Sequence, residues 1–130
     1  MFRLVKIINN NTTAETQLVP KKPNAFYTRG EALISMNGVA TMPTATSSPD
    51  YIFLSMNYNH NYDKINVQLV TEDSVFKVEY TGNVTPYKGM SVGLATKTLN
   101  MDAVTYNTSG KGTIMDIDDD KRFVYVRFRK

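Results

Sequence analysis

The sequence contains no cysteine and a single histidine, His60. The chain therefore has no disulfide framework and no thiolate nucleophile, and a zinc site would depend on one imidazole and on carboxylates. The motifs of serine hydrolases, zinc proteases, P-loop proteins and dinucleotide-binding proteins are also absent from the sequence. These absences exclude most arrangements of a nucleophile with a base and disfavour metal catalysis, and they leave a hydrolase with paired carboxylates as the one enzymatic alternative. We expect a protein that is not an enzyme and that uses no metal and no cofactor.

The sequence also lacks any apolar run long enough to cross a bilayer, and its first residues, MFRLVKIINNNTT, contain no apolar core of signal-peptide length. No segment keeps a helical period of apolar residues over three turns. We expect a protein without a membrane-spanning segment that is made in the cytoplasm.

The size and the charge of the chain set further bounds. A chain of 130 residues has the length of one domain and can bury a core without covalent cross-links. Its net charge is only +3, but five basic residues lie in the last ten positions: Lys121, Arg122, Arg127, Arg129 and Lys130. This asymmetry favours contact with an anionic surface, either nucleic acid or an acidic protein patch.

The clearest local signal is the C-terminal run GKGTIMDIDDDKRFVYVRFRK, residues 110–130. Residues 113–117 and 122–128 are rich in β-branched and aromatic side chains, and the charged group 118–121 separates them as a turn would. On the second segment Val124, Val126 and Phe128 share one face. The run therefore predicts a β-hairpin whose apolar face covers a core.

The rest of the chain shows the same alternation in short segments. Asn37-Gly38 predicts a tight hairpin turn, residues 51–54 read as a buried strand, and residues 65–70 and 75–80 alternate as two strands of a further hairpin. We expect an all-β barrel or sandwich of about eight short strands, with at most one short helix near residues 97–103. Residues 1–24, a strand followed by a polar segment with two prolines, are expected to form an extended N-terminal arm on a single β domain of residues 25–130.

Two polar segments are candidates for a ligand-binding or metal-binding site. Asn57 to Asp63 contains His60 and two tyrosines, but an exposed loop histidine without partners is the commoner arrangement. The carboxylates Asp116, Asp118, Asp119 and Asp120 superficially resemble a calcium loop, yet the glycine and the glutamate that such a loop needs are missing. We interpret this second group as a solvated hairpin tip.

Two binding functions remain compatible with the residues alone. Phe123, Tyr125 and Arg127 could form a stacking platform for single-stranded nucleic acid on a β-barrel. Alternatively, Tyr58 and Tyr62 could serve a carbohydrate-binding adhesive module. The first hypothesis lacks a second basic patch to follow a phosphate backbone.

The order of features along the chain resembles a known family. MFRLVKIINN is followed by YTRGEALISMNGVATMPTATSSPDYI, TEDSVFKVEYTGN, YKGMSVGLATKTLNMD and GKGTIMDIDDDKRFVYVRF. This succession is similar to the small capsid decoration (auxiliary head) proteins of tailed bacteriophages, in particular those that infect Firmicutes. The resemblance extends over nearly the whole chain, and the polar loop at residues 57–63 is longer here.

The resemblance implies a non-enzymatic, β-tulip-like virion protein that binds the outside of the mature icosahedral head and stabilises it. Its partner would be the major capsid protein, with no direct nucleic-acid contact, and a homotrimer is a possible unit. We expect Phe2, Arg3, Leu4, Lys6 and Ile7 to contact the capsid by strand addition, with the basic side chains facing acidic groups. Removal of residues 1–20 is expected to leave a folded domain that no longer binds shells.

Overall fold

The computed structural model describes residues 1–8, 15–57, 63–97 and 100–130. Within these ranges the chain forms eleven strands and no helix. The strands are β1 (Arg3–Ile7), β2 (Thr16–Pro20), β3 (Ala32–Met36), β4 (Val39–Thr41), β5 (Tyr51–Met56), β6 (Lys64–Leu69), β7 (Ser74–Thr81), β8 (Ser91–Ala95), β9 (Ala103–Tyr106), β10 (Gly112–Ile117) and β11 (Phe123–Phe128). The predicted all-β class is confirmed, with eleven strands instead of about eight.

The short helix considered near residues 97–103 is not formed by the described residues of that stretch. Ala103 already begins β9, and residues 97 and 100–102 are irregular. Residues 98 and 99 lie outside the described ranges.

Five strands form a closed barrel in the order β7, β11, β10, β8 and β9, and the parallel pairing of β9 with β7 closes the ring. One edge of β7 is divided between two partners, because its first half pairs with β1 (Leu4↔Phe76) and its second half with β9 (Tyr80↔Val104). β1 is therefore a sixth strand outside the ring. Its second edge pairs with no other strand of the described ranges.

The other five strands form a second antiparallel sheet in the order β2, β6, β5, β3 and β4. A single parallel bridge between Lys21 and Ala40 links the end of β2 to β4, so the two outer strands of this sheet approach each other. The sheet is thereby curled, and its free edges are short.

The barrel encloses the larger of two hydrophobic cores. Alternate side chains of β7 and β11 point inward and are almost fully buried: Phe76, Val78, Val124, Val126 and Phe128. Burial of an apolar side chain of this size stabilises a fold by about 1.5–3 kcal/mol relative to exposure. The apolar side chains at every second position of these strands therefore form the inner face of the barrel.

The middle of the second sheet, at β3 and β5, is buried on both faces, which explains the continuous apolar run there. Ala32 and Ile52 belong to the barrel core, whereas their neighbours Leu33 and Phe53 belong to a second core inside the curled sheet. A strand covered on both sides has no solvent-facing positions to mark with polar residues. The run YIFL at residues 51–54 is the clearest instance.

Both tight turns predicted from the sequence are confirmed. Asn37 and Gly38 have φ angles of 52° and 82° and join β3 to β4, as a two-residue turn with two left-handed positions requires. At the C-terminus, β10 and β11 pair from Gly112↔Phe128 to Ile117↔Val124. The turn between them spans the charged group that interrupts the apolar pattern.

Two predictions about how the segments combine are corrected. β6 and β7 do not form a hairpin: β6 lies between β2 and β5 in the second sheet, while β7 lies in the barrel. The described parts of residues 1–24 are not an extended arm either, because β1 pairs with β7 and β2 pairs with β6. Residues 71–73 thus connect two sheets, and the N-terminal segment is built into both.

Candidate functional site

Phe2, the first of the expected capsid-contacting residues, lies in the barrel core. Its side chain is 3% exposed, and its ring packs edge-on against Phe76 with 6.2 Å between ring centroids and at 5.8 Å against Phe128. Its backbone N–H donates to the Gly30 carbonyl at 2.8 Å. Phe2 is therefore a core residue of the chain's own fold and not a surface contact.

The other four expected contact residues lie on β1. Arg3 and Lys6 are exposed, Ile7 is half-buried, and Leu4 packs against the barrel core. The structure thus brings the two cations to the surface along the open edge of the sheet. Leu4, in contrast, packs against the barrel core. The sequence pattern did not show which apolar residues of this strand pack inside the protein and which are free to bind a partner.

A truncation of residues 1–20 would remove side chains from both cores. Phe2 is buried in the barrel, and Val19 of β2 is buried in the second sheet. Loss of a buried phenylalanine alone typically costs about 3–5 kcal/mol. This loss argues against the expectation that the truncated chain remains folded, so point substitutions on the surface are the appropriate tests.

Two β-bulges face each other across the outer surface of the barrel sheet. Strands β1 and β10 flank β7 and β11, and the register shifts between Leu4 and Lys6 on β1 and between Ile114 and Asp116 on β10. A bulge adds one residue without a partner opposite and re-aims the neighbouring side chains. The two extra residues, Val5 and Met115, are 42% and 40% exposed.

The bulges enclose a depression of about 360 Å³, here called the bulge groove. The strand order places Val75 of β7 and Tyr125 of β11 between the two bulges, so these side chains form its floor. The residues that line the groove are Val5, Lys6, Ile8, Val75, Met115, Asp116 and Tyr125. Across Met115 lies a second depression of about 310 Å³, lined by Glu72, Thr113, Met115, Arg127, Phe128 and Arg129.

The charges around the two depressions are of two kinds. Asp116 pairs with the Lys88 ammonium at 3.6 Å, and Lys77 pairs with Asp118 at 3.3 Å while its ammonium lies 5.3 Å from the centre of the Phe123 ring. In contrast, no carboxylate of the described ranges forms an ion pair with Lys6 or Arg129. The first depression therefore carries a cation, Lys6, that is unpaired within the described part of the chain, whereas at the second the Glu72 carboxylate lies beside Arg129, whose guanidinium donates to the Gly110 carbonyl at 2.8 Å.

The basic and aromatic residues of β11 share the outer face, as the alternation predicted, but several of the cations there are already engaged. The Arg127 guanidinium donates to the Glu72 carbonyl and contacts the Asp73 carboxylate at 3.3 Å. Arg122 pairs with Asp120 at 3.0 Å and Lys130 with Asp50 at 3.4 Å. Among the five basic residues of this segment, Lys121 and Arg129 have no ion pair within the described ranges.

Two of the three carboxylates of the β10–β11 turn, Asp118 and Asp120, form ion pairs. Hydrogen bonds from Arg122 hold the pKa of Asp120 below its ordinary value, and Asp118 pairs with Lys77. The described ranges contain no group of three or more histidine, cysteine, aspartate or glutamate side chains placed to hold a metal ion. The geometry of this turn agrees with a solvated hairpin tip.

Glu31 is a buried carboxyl that the sequence analysis did not single out. It is 0% exposed, and its Oε1 accepts hydrogen bonds from the Thr28 N–H and, at 3.1 Å, from the Asn100 amide. Oε2 is buried without a hydrogen-bond partner. Burial raises the pKa of Glu31 from 4.5 to about 7, and the nearby charge of Asp102 adds to the shift, while the hydrogen bond from Thr28 opposes it. The only sequence signal is an acid inside the otherwise small and apolar run GEALI.

The polar loop that carries His60 lies mostly outside the described residues, since residues 58–62 are not described. The hypotheses that concern His60, Tyr58 and Tyr62 therefore lie outside the described part of the chain. In the ranges that are described, none of the segments is a helix long and apolar enough to span a bilayer. Comparison of the chain with protein-family models, with curated proteins and with solved structures gave no match.

Proposed function

We propose that this protein is a capsid decoration protein of a tailed bacteriophage, which binds the outside of the mature head through the major capsid protein and stabilises the shell. The observation that carries the proposal is the placement of β1 at the open edge of the barrel sheet, with Arg3 and Lys6 exposed along it. An open strand edge flanked by cations is a surface at which another chain can bind. The order of sequence features that resembles decoration proteins supports the same function.

The rest of the molecule is consistent with a function in binding. The barrel is closed by strand pairing, and the second sheet is nearly closed by the bridge between Lys21 and Ala40. Closed sheets leave few unpaired backbone groups, so a contact made through backbone hydrogen bonds would be directed to β1. The fold thus limits where strand addition can occur.

Stabilisation of a shell requires no chemistry on the part of this protein. A ligand that binds the mature shell and not its precursor stabilises the mature form by mass action. Many copies on a symmetric lattice multiply the effect, and each copy presents the same patch. A homotrimer would be one such arrangement, and sedimentation of the purified protein measures whether it forms.

The experiment that tests the proposal is a binding measurement on empty phage heads. The purified protein is mixed with expanded and with unexpanded shells, and the occupancy is measured after co-sedimentation. We expect binding to expanded shells only. Equal absence of the protein from both kinds of shell would refute the proposed function.

A charge-reversal variant tests whether the β1 edge makes the contact. Arg3→Glu combined with Lys6→Glu is expected to reduce occupancy on expanded shells at least fivefold, because two cations facing acidic groups become like charges. The matched control is Lys111→Glu combined with Lys121→Glu, which changes the net charge equally at exposed positions away from β1. Equal losses in both variants would mean that only the net charge of the protein matters.

Binding of single-stranded nucleic acid is the alternative function, and one observation favours it. Phe123 and Tyr125 lie half-buried on the outer face of β11, where bases could stack. A salt titration against single-stranded DNA separates the two functions, because affinity carried by phosphate contacts falls steeply as the salt concentration rises. Measurable binding with such a slope would favour the alternative.

A further inference from the structure

We propose that the bulge groove binds an extended segment of a partner protein whose groove-facing side chains, at every second position, are apolar and acidic in turn. This inference deepens the proposed function, since it names the chemistry of the partner segment, and it rests on that function only for the identity of the partner as a capsid protein. The binding surface consists of the two depressions on either side of Met115 together with Lys6 and Arg129.

The apolar part of the surface is built by the two bulges. In a regular strand, successive side chains alternate between the two faces of the sheet. The bulges on β1 and β10 break this alternation and leave Val5 and Met115 exposed above Val75 and Tyr125. Exposed apolar side chains that gather around a groove lose contact with water when a partner covers them, so this patch favours association.

The charged part of the surface selects an acidic partner. Lys6 lines the first depression and Arg129 the second, and neither has a carboxylate partner within the described ranges. The one carboxylate that lines the bulge groove, Asp116, is offset by Lys88. A partner carboxylate near Lys6 would be attracted to it, whereas at the second depression Glu72 reduces the attraction that Arg129 exerts.

The shape of the surface favours an extended segment over a compact ligand. Two depressions adjoin on the same sheet face, and the Met115 side chain lines both of them. In an extended chain every second side chain points the same way. One such chain can therefore place consecutive side chains of one face in the two depressions.

The bulge on β1 also limits strand addition, in which a strand of the partner would pair with the free edge of β1. A bulge interrupts the regular row of backbone groups that a new strand would need, and natural sheets use bulges to protect open edges. The break at Leu4–Lys6 leaves only short regular stretches of β1 for pairing. The groove beside this strand thus supplies contacts that the edge alone does not.

The test uses a short synthetic peptide in which leucine and glutamate take turns at every second position, with serine between them, and a second peptide in which lysine replaces each glutamate. Binding to the full-length protein is followed by NMR through the methyl signals of Val5, Val75 and Met115. We expect the leucine–glutamate peptide to shift these signals and the leucine–lysine peptide to leave them unchanged. Absence of shifts at these methyl groups with the first peptide would overturn the inference.

Charge exchange then tests the role assigned to Lys6. Lys6→Glu is expected to weaken binding of the leucine–glutamate peptide about fivefold, the scale of an exposed ion pair, and to allow binding of the leucine–lysine peptide. The matched control Lys111→Glu, at an exposed position that lines neither depression, is expected to leave both affinities unchanged. Equal effects of Lys6→Glu and Lys111→Glu would overturn the assignment of Lys6.

Met115→Glu places a carboxylate between the two depressions and is expected to reduce peptide binding about tenfold through like-charge repulsion. The same variant separates this inference from the proposed function. If wild-type protein binds expanded shells and Met115→Glu binds them equally well, the inference about the groove fails and the proposed function stands. If wild-type protein binds the peptide but no shell, the proposed function fails and the groove assignment stands.

Discussion

The two faces of the barrel sheet differ in how regularly their side chains are arranged. The inner face is regular, since Val124, Val126 and Phe128 are buried in strict alternation along β11 and Phe76 and Val78 point inward from β7. The outer face is irregular, with a bulge on each flanking strand and with Val5 and Met115 exposed. The sheet formed by β1, β7, β11 and β10 therefore has one face that packs into the core. Its other face carries the two bulges and the exposed apolar side chains.

This difference separates stability from binding. Buried side chains on a regular face stabilise the fold, and their removal leaves cavities that the surroundings fill only in part. Exposed apolar side chains at a bulge contribute little to folding and are available to a partner. Substitutions on the inner face should thus change the free energy of unfolding, and substitutions on the outer face should change association.

The largest effect is expected for Phe128→Ala on the inner face. Phe128 is buried against Phe2, and its loss should lower the free energy of unfolding by about 3–5 kcal/mol. Urea denaturation measures this change. The matched variant is Phe123→Ala on the same strand, which lies half-buried on the outer face and should cost about 1 kcal/mol. Similar losses in the two variants would break the comparison of the faces.

The next largest effect concerns the one carboxyl group buried in the described interior, Glu31. Its folded-state pKa, about 7, lies above the 4.5 expected in the unfolded chain, so the folded protein binds the proton more tightly. The contribution of Glu31 is therefore most favourable below pH 4.5 and becomes less favourable as the pH rises to about 7.

Glu31→Gln keeps a neutral side chain of the same shape at every pH. The free energy of unfolding of this variant, relative to wild type, should increase by about 2 kcal/mol between pH 4.5 and pH 7. Urea denaturation at several pH values measures the difference. A difference that stays constant over this range would show that folding does not raise the pKa of Glu31.

A smaller effect is expected for Lys77→Ala on the outer face. Lys77 pairs with Asp118 at 3.3 Å and contacts the Phe123 ring, but both partners are accessible to water. Its removal should cost about 1 kcal/mol or less, and less at high salt. A double-mutant cycle with Asp118→Asn measures the pair. A coupling energy above about 2 kcal/mol would show that the outer face stabilises the fold more than its exposure indicates.

The smallest effect on stability is expected for Met115→Ala. The Met115 side chain is 40% exposed at a bulge, so its removal should change the free energy of unfolding by about 0.5 kcal/mol or less. Urea denaturation of Met115→Ala and of Phe128→Ala measures the smallest and the largest expected changes in the free energy of unfolding. A loss above about 2 kcal/mol would mean that Met115 supports the fold, and it would weaken the case for the bulge groove as a binding surface.

Local sequence patterns predicted much of the fold, because the features concerned are local. The alternation at Val124, Val126 and Phe128 and the turn at Asn37 and Gly38 depend on neighbouring residues alone. The same patterns predicted strands at residues 65–70 and 75–80, close to the observed Lys64–Leu69 and Ser74–Thr81, but paired them wrongly. A polar connection marks where a strand ends and does not indicate which sheet receives the next one.

The candidate site was predicted only in part. Arg3 and Lys6 lie at the surface as expected, whereas Phe2 and Leu4 pack into the barrel. An apolar residue near a chain end gives no local sign of whether it meets its own core or a partner. The bulges that form the groove were also invisible in the sequence, since each arises from the register between two distant strands.

The sequence by itself determined the all-β class, the two hairpin turns and the absence of cysteine chemistry, because residue type and period-two alternation act over a few positions. Only the tertiary structure decided that β9 closes the ring against β7, that Phe2 belongs to the core, and that Glu31 is buried with a raised pKa. Each of these depends on contacts between residues far apart in the chain. Such contacts form because together they give the whole fold its lowest free energy, and this cannot be evaluated from any single stretch of sequence.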